Sequence, residues 1–200
     1  MAVLITEIIP EQNFEIVGKQ IASILGEELA AQIVLQSLTE DVSVFHERII
    51  AVDKTEELVV NVLFDSSNSV SATQNDTQGK TSYLIDIYSN AKAKGNISGD
   101  VVSSYKLQKY LGMCRYILQS HKYNTLGLPL GTIGNTNVDS LQVYEQENTP
   151  DTNFGRMARI NFSVRLMENQ QVWEGVLADQ NITQSKLELT EKGYQYKLKE

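Results

Sequence analysis

The stretch Ala158-Arg159-Ile160-Asn161-Phe162-Ser163-Val164-Arg165-Leu166-Met167 decides the fold class. Ala158, Ile160, Phe162, Val164 and Leu166 alternate with Arg159, Asn161, Ser163, Arg165 and Met167, a period of two. Successive side chains on a strand point to opposite faces, so this is an antiparallel strand with one covered and one solvated face. A slip of one residue would carry the arginines into the core, so the register is tightly specified. Such a strand needs neighbours to pair with and a layer to cover its apolar side.

The cover comes from two helical patterns. In residues 10–38, Val17, Ile21, Ile24, Ala31, Leu35 and Leu38 recur at spacings of three, four and seven, and Leu25, Leu29 and Ile33 widen the stripe. Pro10 suits a first turn, and Glu11 and Glu15 suit the positive end of the helix dipole. Gly18 and Gly26 each cost about 1 kcal/mol against alanine inside a helix, which implies either a kink or a close approach of another backbone. A second helix starts at Ser98 or Asp100 as N-cap and runs to about Tyr123, with Leu107, Leu111, Cys114 and Leu118 inward, flanked by Tyr110 and Ile117. Lys106, Lys109, Arg115, Gln119 and Lys122 take its other sides.

The neighbouring strands are read from β-branched runs. Residues 42–52 and 58–64 are expected as a hairpin around Lys54-Thr55-Glu56-Glu57. Residues 81–89 form a central strand, apolar on both faces through Tyr83, Ile85, Ile87 and Leu84, Tyr88. Residues 138–144 add another, and 186–190 hold a weaker candidate in a tail starting near Asn169. Between 65 and 82 lie Ser, Asn, Thr, Gln and Asp with almost no large apolar side chain, and Gly79 favours a turn. That stretch is expected to be a polar loop for a partner to order. The order of elements predicts an α+β fold: a mostly antiparallel sheet of four or five strands with two helices packed on one face. The other sheet face then needs cover.

Composition bounds the function. The chain has 200 residues, 42% hydrophobic and 21% charged, within the range of a single globular domain that buries roughly 70% of its extended surface. Its net charge of -8 argues against a surface built to neutralise phosphate. No apolar run approaches the ~20 residues that span a bilayer, and residues 1–10 carry no Lys or Arg, unlike a secretory signal. A cytoplasmic origin is expected. One cysteine, Cys114, excludes an internal disulfide and a thiolate metal cage.

Candidate chemistry is sparse. His46 and His121 are the only histidines and lack metal-ligand spacing. Cys114 sits on an apolar stripe, where a thiol behaves as a small hydrophobe. Gly127, Gly131 and Gly134 match neither a phosphate-binding loop nor a dinucleotide fingerprint. Asp65, Asp86 and Asp100 stand near strand and helix ends, where a site would need them to converge. Arg156, Arg159 and Arg165 form an arginine face, either plainly solvated or a site for an acidic partner. No catalytic, cofactor-binding or metal-ligating residue is expected.

The order of elements, with its local wording, resembles the tail terminator (tail-completion, or neck) proteins of tailed bacteriophages, particularly those with contractile tails. The pieces are Asn13-Phe14-Glu15-Ile16, Ile24-Leu25, Glu27-Glu28-Leu29, Glu47-Arg48, Val60-Asn61-Val62-Leu63-Phe64-Asp65 and Tyr83-Leu84-Ile85-Asp86-Ile87-Tyr88. Gly99-Asp100, Arg115-Tyr116-Ile117-Leu118, Tyr123-Asn124-Thr125-Leu126-Gly127-Leu128 and Ala158-Arg159-Ile160-Asn161-Phe162-Ser163-Val164 follow. Together they span roughly residues 10–168.

This resemblance implies a structural subunit of a homo-hexameric ring that caps the tail tube, ends its polymerisation and presents a surface to the head. Its implied partners are further copies of itself, tail tube and sheath proteins, and a head-completion or connector protein. DNA would pass through the lumen without specific binding, and no membrane is involved. The implied location is the virion, with assembly in the bacterial cytoplasm. Asn68, Gln74, Asn75, Asp76 and Gln78 of the 65–82 loop, with Arg156, Arg159 and Arg165, are the candidate partner interface. A head-completion protein is the near alternative. A small α+β enzyme or ligand-binding module using Asp86, Asp100 and the arginine face is the distant one.

Overall fold

The computed structural model describes residues 8–49, 56–72, 76–145, 154–169, 181–186 and 193–198. Chain order is α1 (Asn13–Leu35), β1 (Val42–His46), β2 (Leu58–Ala72), β3 (Asp76–Ala91), α2 (Gly99–Leu118), a 3-10 turn (His121–Tyr123), β4 (Ile133–Glu145) and β5 (Phe154–Asn169). These strands form one sheet in the order β1-β2-β3-β5-β4, antiparallel throughout except for the parallel pair β1 and β2. The expected α+β class, with five strands, is what the chain adopts. Residues 1–170 make one compact unit and 171–200 a second. The division falls beside Asn169, where the sequence places the start of the tail. In that second unit β6 (Asn181–Lys186) and β7 (Gly193–Leu198) pair antiparallel. β6 ends where the weak strand of 186–190 was expected to begin, and 187–190 lie outside the described residues.

The period of two in β5 sorts the sheet into faces. Rows such as Val60-Ile87-Ala158 and Val62-Ile85-Ile160 run across β2, β3 and β5 on one side, and all six side chains are buried with Ile21, Leu25, Leu29, Leu107, Tyr110 and Cys114 from the helices. Both helices therefore cover the same face. Each fully buried Ile or Leu there contributes about 1.5–3 kcal/mol relative to exposure. The opposite face carries rows such as Asn61-Asp86-Arg159-Gln142.

Local chemistry sets the helix ends. The Gln12 amide donates to Glu15 Oε2 at 2.9 Å, half of a capping box, so α1 starts three residues after Pro10. At its other end Ser37 takes φ +51. The Ser37 amide donates to the Val34 carbonyl at 3.2 Å and the Leu38 amide to the Ile33 carbonyl at 2.9 Å, the paired bonds of a Schellman ending. Gly18 is a close approach: a Cβ there would meet His46 Nε2 at 2.6 Å and Tyr83 Cε1 at 3.4 Å. α2 begins after Ser98 and is fixed to β3 by Ser103 Oγ, which donates to the Ser89 carbonyl at 2.7 Å.

Two expectations about connections are corrected. β1 and β2 do not form a hairpin. They run parallel, Val42 beside Leu58 and His46 beside Val62, because residues 47–57 are long enough to carry the chain back to the start of β1. Asn61, only 1% exposed, accepts from the Arg48 amide at 3.1 Å and donates to the Arg48 carbonyl at 2.7 Å. Arg48 thus lies over the helix-free face and satisfies a buried amide there.

The stretch 65–82 is not a loop. Its described residues extend β2 and β3, leaving 73–75 between them, with register shifts between Phe64 and Ser66 and between Ser69 and Ser71. Strand β3 is central, pairing Ser82 with Ser66 on one side and with Ser163 on the other. Backbone ladders on both sides hold a strand whose side chains are polar, and Ser67 Oγ meets Thr81 Oγ1 at 3.0 Å across the pair. Gly79 marks a tight approach and not a turn, since a Cβ there would lie 2.7 Å from the Asn68 carbonyl oxygen.

Candidate partner-binding surfaces

The expected arginine face divides. On β5 the odd positions Arg159 and Arg165 point away from the helices, whereas Arg156 shares the parity of Ala158 and Ile160. Arg156 Nη1 accordingly donates to Ser104 Oγ of α2 at 3.1 Å. Three arginines in one segment do not share a face when their numbers differ in parity.

Arg159 is neutralised within the sheet. Its Nε donates to Asp86 Oδ1 at 2.7 Å and its Nη2 to Asp86 Oδ2 at 2.8 Å, a bidentate, charge-assisted pair. Asp86 is 1% exposed. Tyr88 donates its hydroxyl to the same carboxylate at 3.3 Å. Burial, and then the Asp86 charge, push the Tyr88 phenol up to about 12. The Arg159 guanidinium also sits over the Tyr144 ring, 5.8 Å from its centroid.

Arg165 is exposed and donates to Gln78 Oε1 at 3.3 Å, so two of the expected interface residues do meet. Beside them Lys80 Nζ lies 2.8 Å from Asp139 Oδ2, and Asn137 donates to Asp139 Oδ1 at 2.6 Å. Burial works to raise the Asp139 carboxyl, but hydrogen bonds from Lys80, Asn137 and Ser163 outweigh it and hold it low. Asn68 is exposed on β2. Asp76 opens β3. Gln74 and Asn75 lie outside the described residues. The helix-free face is therefore mixed: polar groups around Asp86 and Asp139 that largely satisfy one another stand beside Val59, Leu63 and Leu84.

The remaining sequence candidates separate. Asp86 is on the helix-free face, while Asp100 is in the first turn of α2 on the other side of the sheet and accepts from Ser98 Oγ. Cys114 is fully buried, and burial pushes its thiol up to about 12. His46 faces α1 against Gly18. Among the described residues no group of three His, Cys, Asp or Glu is placed to hold a metal ion.

A further surface, unmarked by any motif in the sequence, lies on the outside of the helices. Tyr105 and Tyr116 are 68% and 79% exposed on α2, with the exposed Gly112 between them. A cleft of about 600 Å³ runs between α1 and α2, lined by Gln32, Gln36, Gly112, Met113, Tyr116 and Ile117 among others. Glu28 also lines it and accepts from Lys122 Nζ at 2.6 Å and from the Tyr123 hydroxyl. Those two bonds hold the Glu28 carboxyl below the usual range. The signal was in the spacing: residues 105, 112 and 116 stand opposite the stripe 103, 107, 110 and 114. No protein-family model and no curated protein matches the chain.

Proposed function

We propose that the chain is a structural neck protein of a tailed bacteriophage, a subunit of a six-membered ring that caps the tail tube, ends its polymerisation and offers a surface to the head. The observation that carries this reading is the order α1, β1, β2, β3, α2, β4, β5 around one sheet, the same order on which the resemblance rests. The extension of β2 and β3 past Phe64 and Tyr83, with polar residues such as Asn68, Gln78 and Lys80, supports it as a contact arm. So do the two strands that end the sheet among the described residues, β1 and β4, since an edge strand is a ready template for a neighbouring chain. A repeated contact between unlike edges closes into a ring when its rotation permits.

The net charge of -8 suits a passage through which DNA slides without being held, because like charges repel. Tail tube and sheath on one side and a connector on the other are the partners this role requires. The convergence that an enzyme or ligand-binding module would need does not occur at Asp86 and Asp100, which stand on opposite sides of the sheet. Among the described residues no helix is long and apolar enough to cross a membrane. Cosedimentation with separated tails and heads tests the assignment. Binding to tails and arrest of tube growth is expected; binding to heads alone would make the chain a head-completion protein.

A further inference from the structure

The apolar rows of the sheet run further than the helices that cover them. Val62-Ile85-Ile160 and Val60-Ile87-Ala158 continue to Leu141 and Val143 of β4, which are 37% and 52% exposed, because α2 lies over β3 and β5. Residues 140–145 pair regularly with β5, the irregularities of β4 falling at 133–135 and 138–140. The strand contains neither lysine nor proline, the residues that blunt an edge against further pairing. At the other end of the sheet the second of these rows reaches Val44 of β1. There α1 lies directly on the strand: a Cβ on Gly26 would stand 3.8 Å from Val44 Cβ, and Gly18 packs on His46.

We infer that β4 of one copy takes β1 of the next copy as its neighbouring strand, so that α1 of that next copy closes over Leu141 and Val143. The contact rests on the ring reading proposed above and names the surfaces that would build it. Strand directions allow it: in a ring whose axis follows the strands, β4 meets β1 antiparallel. Copies related by rotation about that axis stand at one height, which sets Val143 beside Val44 of the next copy and Leu141 beside its His46, all on the helix side. Pairing β4 with β4 of a second copy would instead leave both rims without a helix.

Charge complements the fit. Ser104, Gln108, Leu111 and Arg115 form the flank of α2 turned towards β5 and β4, as the bond from Arg156 to Ser104 shows. Arg115 is exposed and, among the described residues, bonds only Gln119. On α1 the exposed Glu15 stands one turn before Gly18, on the flank above β1. Phe14 touches the Phe64 ring, whose row leads through Tyr83 and Phe162 to Val138; Leu118 and Gln119 line a cleft with Val138. Glu15 and Arg115 are therefore within about one helical turn of the same height. Three strand spacings, about 14 Å, separate α2 from α1 of the next copy, a gap that Leu111, Leu141 and Val143 fill and two long side chains can span.

Val44→Cys and Val143→Cys in one chain test the contact, the native Cys114 being buried. Oxidised at high concentration, alone and on bacteriophage tail tubes, the double variant should give a ladder of linked chains on a non-reducing gel. Each single variant should stay one chain long, since its cysteine then faces none. Arg115→Glu in the double variant should leave the melting temperature in place and cut the linked fraction several-fold; an unchanged fraction would remove the charge contact. Dimers from Val143→Cys alone, or no ladder from the double variant, would overturn the inference. Rings on tubes without a ladder remove this contact and keep the neck reading, whereas a ladder with bare tubes does the reverse.

Discussion

Asp86 and Arg159 face each other across the β3 and β5 ladder and exchange two hydrogen bonds of 2.7 and 2.8 Å. The two partners differ in access to water: Asp86 is 1% exposed and the Arg159 side chain 29%. Removing the arginine strands a buried carboxylate, whereas removing the aspartate frees a guanidinium that can turn to solvent. Arg159→Ala should therefore cost about 2–3 kcal/mol, less than a fully buried pair because of that exposure. Asp86→Ala should cost only about 1 kcal/mol. Urea denaturation of both variants measures the asymmetry; equal losses would contradict it.

The two helix glycines should respond with opposite signs. At Gly18 a methyl group meets the His46 ring at 2.6 Å, so Gly18→Ala should destabilise by about 1–2 kcal/mol despite the better helix former. Adding His46→Ala should recover most of that loss. At Gly112 nothing is displaced, and Gly112→Ala should raise the stability of the monomer by about 0.5–1 kcal/mol.

Extension of the sheet beyond Phe64 makes Gly79 a structural position. A Cβ would approach the Asn68 carbonyl oxygen to 2.7 Å, backbone that cannot swing aside. Gly79→Val should cost about 1–3 kcal/mol and speed amide exchange at Thr81 and Ser82. Were 65–82 a solvated loop, neither effect would be seen.

Alkaline pH should unfold the chain through two buried groups, Cys114 and Tyr110, and the half-buried Tyr88. Burial holds the Cys114 thiol and the Tyr88 and Tyr110 phenols at about 12, against 9.0 and 10.0 ordinarily. The unfolded chain releases these protons first, so stability is fully present below pH 9 and falls as pH rises towards 12. Cys114 and Tyr110 each add a slope of about 1.4 kcal/mol per pH unit over their windows, and Tyr88, partly screened by solvent, adds less. In Cys114→Ala the decline should begin near pH 10 instead of 9. Native Cys114 should also resist a thiol reagent until the chain opens.

Much of the fold is legible in the sequence. The alternation at 158–167 fixed the two faces of β5, and the stripe through Leu107 and Cys114 fixed the buried side of α2. What escaped had no side-chain signal of its own. Residues 65–82 pair through backbone groups, which polar composition does not reveal, and the Gly79 read as a turn is a close approach. The parallel pairing of β1 and β2 depends on where residues 47–49 cross the sheet, marked only by Asn61. Arg156 was grouped with Arg159 by type although its even number put it on the helix side. Tyr105, Gly112 and Tyr116 have the spacing of one helix face, but exposed tyrosines are legible as a surface only once the buried stripe is known.

Electron microscopy of growing bacteriophage tail tubes, before and after adding the purified protein, tests the central proposal most directly. The account predicts a six-fold ring at one end of each tube and tubes that no longer elongate when more tube subunit is supplied. Tubes whose ends stay bare and continue to grow would contradict it.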